Sequence, residues 1–203
     1  MKPETIAIVF IGYQNDYFAG DGILRGVIEE PGRTTRVLAN TLGLIKRLKD
    51  SAAMLVATPI IFTPDYSELV SPVGILKAIK DVGAFKAGTK GSETIPEFVA
   101  HGERIITVPG KRGLNAFSNT TLDEKLKEKG ITDICLAGAV TSICIDSTGR
   151  AAFEKGYGVH ILRDCTAGRT AVEENFYCDS IFPLYAEVLD STDLLSRLDV
   201  TSS

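Results

Sequence analysis

The residues best suited to chemistry lie in one short segment, 138–144, which begins with Gly138 and ends in Cys144. An apolar run at 134–136 precedes it and is typical of a buried strand, and residues 144–153 have the pattern of a helix. A cysteine that begins a helix lies in the positive field of the helix N-terminus, which favours the nucleophilic thiolate. Small residues before it let backbone N–H groups approach a reacting carbonyl. The segment predicts a nucleophile beside an oxyanion site; the alternative is a structural buried cysteine.

A second candidate is Lys111, which follows a predicted strand at 104–108. An ammonium group beside the cysteine would favour the thiolate and hold a developing negative charge. The alternative is an ordinary solvated lysine. We expect the neighbouring Arg112 to face solvent or to form an ion pair.

The elements that must position these residues alternate regularly along the chain. Strands are predicted at 5–11, 54–57 with 60–62, 104–108, 134–136, 157–162 and 186–189, and helices at 33–51, 73–82, 93–101, 121–129, 144–155 and within 171–181. This order predicts one α/β domain over 1–203, a doubly wound, mainly parallel six-stranded sheet with helices on both faces. Ligands of such folds bind outside the carboxyl ends of the strands, near the topological switch point.

Two helix starts carry specific predictions. Ser92 is the candidate N-cap of the helix at 93–101. Thr121 and Glu124 have the spacing of a capping box for the helix at 121–129.

Composition excludes several classes of partner. The chain has 203 residues and a net charge of −4 without a basic block, so we expect no nucleic-acid partner. No apolar run approaches the ~20 residues of a membrane span, so we expect no membrane partner.

The four cysteines form no CxxC pair, which argues against a disulfide framework or a zinc site and favours a cytoplasmic location. They are Cys135, Cys144, Cys165 and Cys178.

Taken together, these segments resemble the isochorismatase-like cysteine hydrolases, which place an Asp–Lys–Cys constellation on a doubly wound α/β fold. In that family the first strand is followed by the motif D-x-Q-x-D-[FY]. The third strand is followed by a lysine, then an aromatic residue, and then the helix start T-x-L. The fourth strand is followed by the motif G-x-x-T-x-x-C. The matching residues are Gln14, Asp16, Lys111, Phe117, Thr120, Leu122, Gly138, Thr141 and Cys144. The resemblance covers nearly the whole chain and implies a homo-oligomer acting on a small molecule.

The resemblance also implies a feature of the cysteine segment. The peptide bond between Ala139 and Val140 corresponds to one that is typically cis in the family. The Val140 N–H and the Cys144 N–H would then form the oxyanion hole.

One position departs from the family pattern. The general-base aspartate, two residues before Gln14, is replaced by Gly12, which carries no group that accepts a proton. Asp16 matches the family's second, structural acid. Either the chain is a substituted form of an active hydrolase, or it is a natural divergent member; the intact remainder of the pattern favours the first.

The retained cysteine favours acyl chemistry, in which a thiolate attacks an amide or carbamoyl carbonyl, an amine or ammonia leaves, and water hydrolyses the thioester. Without the acid at position 12 we expect activity to be at least ~10²-fold lower. The alternatives are isochorismatase-type hydrolysis of a vinyl ether, and a catalytically dead protein that binds a small ligand.

Neither a metal nor another cofactor is expected. The resemblance to nicotinamidases would place an Asp and two His at 63–69, but this stretch holds Asp65, Glu68 and no histidine. Asp65 and Glu68 are therefore expected to be loop and cap residues. Aromatic side chains are candidate walls of a pocket for a small planar or apolar substrate. They are Tyr17, Phe18, Phe62, Tyr66 and Phe117.

Overall fold

The computed structural model describes residues 1–199 and contains one six-stranded sheet. Its strands are β1 (Ile6–Ile11), β2 (Met54–Thr58), β3 (Ile106–Thr107), β4 (Asp133–Ala139), β5 (Gly158–Ala167) and β6 (Glu187–Leu189). They lie in the order β3-β2-β1-β4-β5-β6, and every neighbouring pair is parallel. This confirms the predicted doubly wound α/β fold.

The switch point of the sheet lies between β1 and β4. The chain builds outward from β1 to β3 on one side and from β4 to β6 on the other, so the connections that follow these two central strands run in opposite directions along the sheet. All six residues of β1 are buried, which explains its continuous apolar sequence, because both faces of a central parallel strand are covered. The sequence therefore places a site beyond the ends of β1 and β4.

Helices occupy the connections between the strands. They are α1 (Asn15–Phe18), α2 (Arg33–Arg47), α3 (Gly74–Val82), α4 (Pro96–Val99), α5 (Leu122–Glu128), α6 (Asp146–Glu154), α7 (Ala171–Phe176) and α8 (Ser191–Arg197). Both α2 and α6 contact β5. Within residues 1–199, no helix is long and apolar enough to cross a membrane.

Several predicted elements are shorter than expected. The helix predicted at 33–51 ends at Arg47, and the strand segment predicted at 60–62 is reduced to isolated bridges at Ile60 and Phe62. The helix predicted at 93–101 is reduced to α4, because Pro96 stands at its first position and the preceding Ile95 is extended. Ser92 is therefore not its N-cap. The strand predicted at 104–108 is reduced to β3, an edge strand that ends two residues before Pro109.

The capping box predicted for Thr121 and Glu124 is wrong. The Thr121 side chain makes no cap hydrogen bond. The neighbouring Thr120 hydroxyl instead accepts from the Leu122 N–H at 3.3 Å and donates to the Ala116 carbonyl at 2.6 Å.

Candidate active site

Cys144 lies in a π-helical turn, Thr141–Ile145, that joins β4 to α6. The helical segment therefore begins three residues earlier than predicted, and Cys144 lies in its first turn. The Val140 carbonyl accepts from the N–H groups of Ile143 and Ile145 at 3.1 and 3.2 Å, which fixes the turn on the end of β4. The Cys144 side chain is 5% exposed.

Lys111 lies beside the cysteine. Its Nζ atom is 3.6 Å from the Cys144 Sγ atom and also donates to the Gly113 carbonyl. The Lys111 side chain is fully buried, and this burial lowers the pKa of the amine, while the charge of Cys144 acts in the opposite direction. The lysine amine and the cysteine sulfur therefore form a buried contact within the protein.

Three hydrogen bonds of Gln14 connect the end of β1 to the lysine loop. Its amide nitrogen donates to the carbonyls of Ile60 and Ser92 at 2.8 and 2.7 Å, and its oxygen accepts from the Ile60 N–H at 2.7 Å. Ile60 forms a parallel bridge with Lys111. Gln14 therefore sets the position of the lysine relative to β1.

The ends of β1 and β4 approach each other closely. Ile11 pairs with Gly138, and a Cβ atom on Gly138 would lie 1.9 Å from the Ile11 carbonyl oxygen, so this position requires glycine. The next peptide bond, between Ala139 and Val140, is cis. On the β1 side Gly12 has a φ of +77°, and a Cβ atom there would lie 3.1 Å from the Ala139 carbonyl oxygen.

Tyr17 and Asp16, in α1, have different surroundings. Burial, the charge of Cys144 and the charge of Asp16, in that order, raise the pKa of the Tyr17 phenol. The Asp16 carboxylate accepts from the Phe85 N–H at 2.6 Å, and burial raises its pKa. Asp16 therefore holds the loop that contains Phe85, consistent with the structural part that the resemblance implies.

The other candidate pocket walls are buried as well. Phe18 stacks on Tyr13 with ring centroids 4.6 Å apart, which makes it part of an aromatic core cluster. Phe62 lies 5.6 Å from Tyr66, and Phe117 stacks 6.1 Å from the ring of Tyr157. Contact of these rings with a substrate stays a prediction.

Asp65 and Glu68 lie in the loop after β2, as predicted, but neither caps a helix. Asp65 accepts from the Thr63 hydroxyl at 2.9 Å, and Glu68 accepts from the Thr63 N–H at 2.8 Å. Arg112 forms the expected ion pair, 3.3 Å from Glu68. Across residues 1–199, no three His, Cys, Asp or Glu side chains are grouped so that they could hold a metal ion.

A polar network that the sequence did not predict lies next to the cysteine segment, and we call it the rim of the site. The Ser142 hydroxyl donates to Glu173 at 2.5 Å, and Glu173 forms an ion pair with Arg169 at 2.7 Å. Although burial opposes it, hydrogen bonds from Ser142 and Arg169 lower the pKa of Glu173. The available signal was Thr170, three residues before Glu173, whose side chain caps α7 by accepting from the Glu173 N–H.

One polar group in the nucleophile segment has no partner. The Thr141 hydroxyl is buried and makes no hydrogen bond within the described part of the chain. Such a group costs free energy unless something satisfies it. It lies three residues before Cys144, in the same π-helical turn.

Comparison with known proteins defines the class to which this site belongs. The isochorismatase domain model matches residues 6–193, and the chain belongs to the isochorismatase family of hydrolases. It is 34% identical over 88 residues to the uncharacterised isochorismatase family protein YecD of Escherichia coli O157:H7, a match that covers 43% of this chain and 47% of that protein. It is 28% identical to the ureidoacrylate amidohydrolase RutB of Agrobacterium fabrum over 82% of this chain and 77% of that one.

Solved structures have the same fold. A cysteine hydrolase from Pseudomonas syringae pv. phaseolicola superimposes with a TM-score of 0.86 at 18% identity, over 98% of this chain and 94% of the other. N-carbamoylsarcosine amidase from Thermoplasma acidophilum gives a TM-score of 0.73 at 22% identity, over 94% and 97% of the two chains. At these identities the likeness extends to the fold alone.

Proposed function

We propose that this chain is a cysteine hydrolase that cleaves a C–N amide or carbamoyl bond of a small molecule through a thioester on Cys144. The observation that carries the proposal is the 3.6 Å contact between the Lys111 amine and the Cys144 sulfur, two buried side chains that lie near the switch point. An ammonium group at this distance stabilises a thiolate, and the thiolate is the nucleophilic form of cysteine.

In the proposed reaction the Cys144 thiolate forms a bond to the carbonyl carbon of the substrate. The N–H groups of Val140 and Cys144 stabilise the resulting oxyanion. The C–N bond then breaks, the nitrogen leaves as an amine or ammonia after gaining a proton, and water hydrolyses the thioester. The charge on Lys111 offsets the negative charge at sulfur in both steps.

The names of two similar proteins support the substrate class. One is called a ureidoacrylate amidohydrolase and the other an N-carbamoylsarcosine amidase. We therefore propose a small amide or carbamoyl compound as substrate. Because Gly12 carries no acid at the position that the family uses as general base, we expect activity at least ~10²-fold below that of a form with the carboxyl group.

Turnover of a panel of small primary amides and ureido acids, followed as release of ammonia or amine, tests this function. We expect slow turnover of at least one member and its loss after stoichiometric alkylation of Cys144 by iodoacetamide. Isochorismate is included, since release of pyruvate would identify vinyl-ether hydrolysis instead. No turnover of any amide, together with labelling of Cys144 no faster than that of Cys178, would support a dead binding protein.

We also propose that the chain assembles into a homo-oligomer. Exposed apolar side chains on and after α7 support this, among them Val172 at 81% and Leu184 at 77% exposure. Sedimentation equilibrium tests it, and a mass equal to that of one chain, 21.8 kDa, would contradict it.

A further inference from the structure

Polar side-chain contacts hold the turn Thr141–Ile145, which we call the cysteine turn, on two sides. On one side the Cys144 sulfur lies 3.6 Å from the amine of Lys111, in the loop after β3. On the other side the Ser142 hydroxyl donates to the carboxylate of Glu173, in α7, at 2.5 Å. The two partners therefore come from segments that follow strands on opposite sides of the switch point.

Ser142 lies midway between the two residues whose N–H groups we assign to the oxyanion site. Val140 directly precedes the cysteine turn, and its carbonyl accepts from the N–H groups of Ile143 and Ile145 at 3.1 and 3.2 Å. Cys144 lies two residues after Ser142 in the same turn. A displacement of Ser142 therefore changes the separation and the direction of the Val140 and Cys144 N–H groups.

The carboxylate that accepts from Ser142 is itself held in place. The Glu173 side chain is 13% exposed and forms an ion pair with the Arg169 guanidinium at 2.7 Å. The Arg169 backbone N–H donates at 3.3 Å to Oε1, the same Glu173 oxygen that accepts from Ser142. The Thr170 hydroxyl accepts from the Glu173 N–H at 3.1 Å and caps α7. Glu173 is thus a fixed anchor for the serine.

We propose that Ser142 and Glu173 are positioning residues that set the two oxyanion N–H groups relative to the Cys144 sulfur. Such donors stabilise charge only where they point at the place at which the oxyanion forms. The inference rests on the thioester function proposed above and identifies what holds its oxyanion site in place. The motif G-x-x-T-x-x-C leaves position 142 open, so the serine is a feature of this chain.

Two reagents distinguish the oxyanion site from the nucleophile. With p-nitrophenyl acetate the Cys144 sulfur forms a C–S bond, the carbonyl passes through an oxyanion, and the ester C–O bond breaks to release nitrophenolate. With iodoacetamide the same sulfur forms a C–S bond as the C–I bond breaks, and no oxyanion forms. Both reactions require the thiolate, so the ratio of their rates reports the oxyanion site.

Substitution Ser142→Ala removes the hydroxyl that reaches Glu173. The acylation rate is measured as nitrophenolate release with the protein in excess over the ester, counting only release that prior alkylation of Cys144 abolishes. We expect acylation to slow by at least about tenfold, because displaced donors stabilise the oxyanion less. Alkylation of Cys144 by iodoacetamide should stay within about twofold of the native rate.

Glu173→Ala should slow acylation by a similar factor, because it removes the other end of the same hydrogen bond. The double variant of Ser142→Ala and Glu173→Ala should then be no slower than the slower single variant, since residues that act through one bond are not additive. Additive losses would contradict a role for the bond between them.

Ser191→Ala is the matched control. The Ser191 hydroxyl also donates to a carboxylate at 2.5 Å, that of Asp164, but Ser191 begins α8, which does not carry the cysteine. Its loss should lower the unfolding midpoint and leave the ratio of acylation to alkylation within about twofold of the native value.

The positioning role and the proposed function fail by different results. A loss of acylation smaller than about tenfold in Ser142→Ala, or an equal loss of acylation and alkylation, would overturn the positioning role and leave the proposed function intact. A native chain that shows no Cys144-dependent release of nitrophenolate would instead contradict the thioester function itself.

Discussion

The two strand ends that meet at the switch point carry different chemistry. Beyond β4, Cys144 has the buried amine of Lys111 3.6 Å from its sulfur. Beyond β1, the chain turns at Gly12, and the adjoining space is filled by the ring of Tyr17. The turn beyond β4 holds a buried cysteine in contact with an amine, whereas the turn beyond β1 holds a glycine where the family pattern has an acid.

This difference separates two tasks that one site must perform. In the proposed reaction, forming a thiolate depends on the Cys144–Lys111 pair, in which Cys144 follows β4 and Lys111 follows β3. Protonating a leaving nitrogen and activating water depend on a group that exchanges a proton. We therefore expect activated esters to acylate Cys144 without such a group, and amides to require one.

The largest effect is expected on the β4 side from Cys144→Ala. Removing the nucleophile should lower amide turnover by ~10⁴-fold or more. Cys178→Ala is the matched control, because Cys178 is also buried, at 2% exposure, and burial raises the pKa of its thiol to about 12. Comparable losses of amide turnover in the two variants would mean that Cys144 is not the nucleophile.

On the β1 side, Gly12→Asp should raise amide turnover by at least ~10²-fold, since it adds the missing carboxyl group. The φ of +77° and the contact with Ala139 should at the same time lower the free energy of unfolding by about 1 kcal/mol or more. Turnover and urea denaturation measure the two effects.

Gly88→Asp controls for the backbone strain alone. Gly88 has a φ of +80° and no atom within 4 Å of its Cβ position. It should show the stability loss without the gain in turnover. Equal turnover in the native chain and Gly12→Asp would show that position 12 does not limit the reaction.

The sequence predicted the fold and the order of the site segments, but not the contacts that complete the site. Continuous apolar strands such as β1 and the alternation with helices are local patterns, and they sufficed for the doubly wound sheet. The bond between Ser142 and Glu173 joins residues 31 positions apart in the chain, which periodicity does not report. The same holds for the contact between Lys111 and Cys144, which lie 33 positions apart.

A smaller effect is expected in the pH dependence of stability. Burial lowers the pKa of Lys111 in the folded state, whereas an unfolded lysine titrates near 10.4. Between these two values the unfolded chain binds more protons, so native stability should rise with pH there. The Lys111→Met variant has no amine at this position and therefore lacks this pH-dependent contribution to stability. Its free energy of unfolding should therefore fall relative to the native value as pH approaches 10.4, by roughly 1.4 kcal/mol for each unit of lowering. Parallel curves for the two proteins would contradict the buried-amine account.

The smallest expected effect is a difference in the free energy of unfolding between valine variants of two buried threonines, Thr141 and Thr148. Thr141→Val should leave the free energy of unfolding unchanged or raise it by up to about 1 kcal/mol, because its hydroxyl has no partner within residues 1–199. Thr148→Val should lower it by about 1 kcal/mol, since the Thr148 hydroxyl accepts from the Ala116 N–H at 3.1 Å. Denaturant midpoints compare them, and a larger loss for Thr141→Val would mean that its hydroxyl is satisfied in the folded protein.

The central claim is that Cys144 carries the acyl group during turnover. Acid quenching of the native chain during reaction with the amide panel, followed by peptide mass spectrometry, tests it directly. We expect an added acyl mass on the peptide that contains Cys144, and its absence after prior alkylation. Amide turnover that continues with no adduct on Cys144, and that persists in Cys144→Ala, would contradict it.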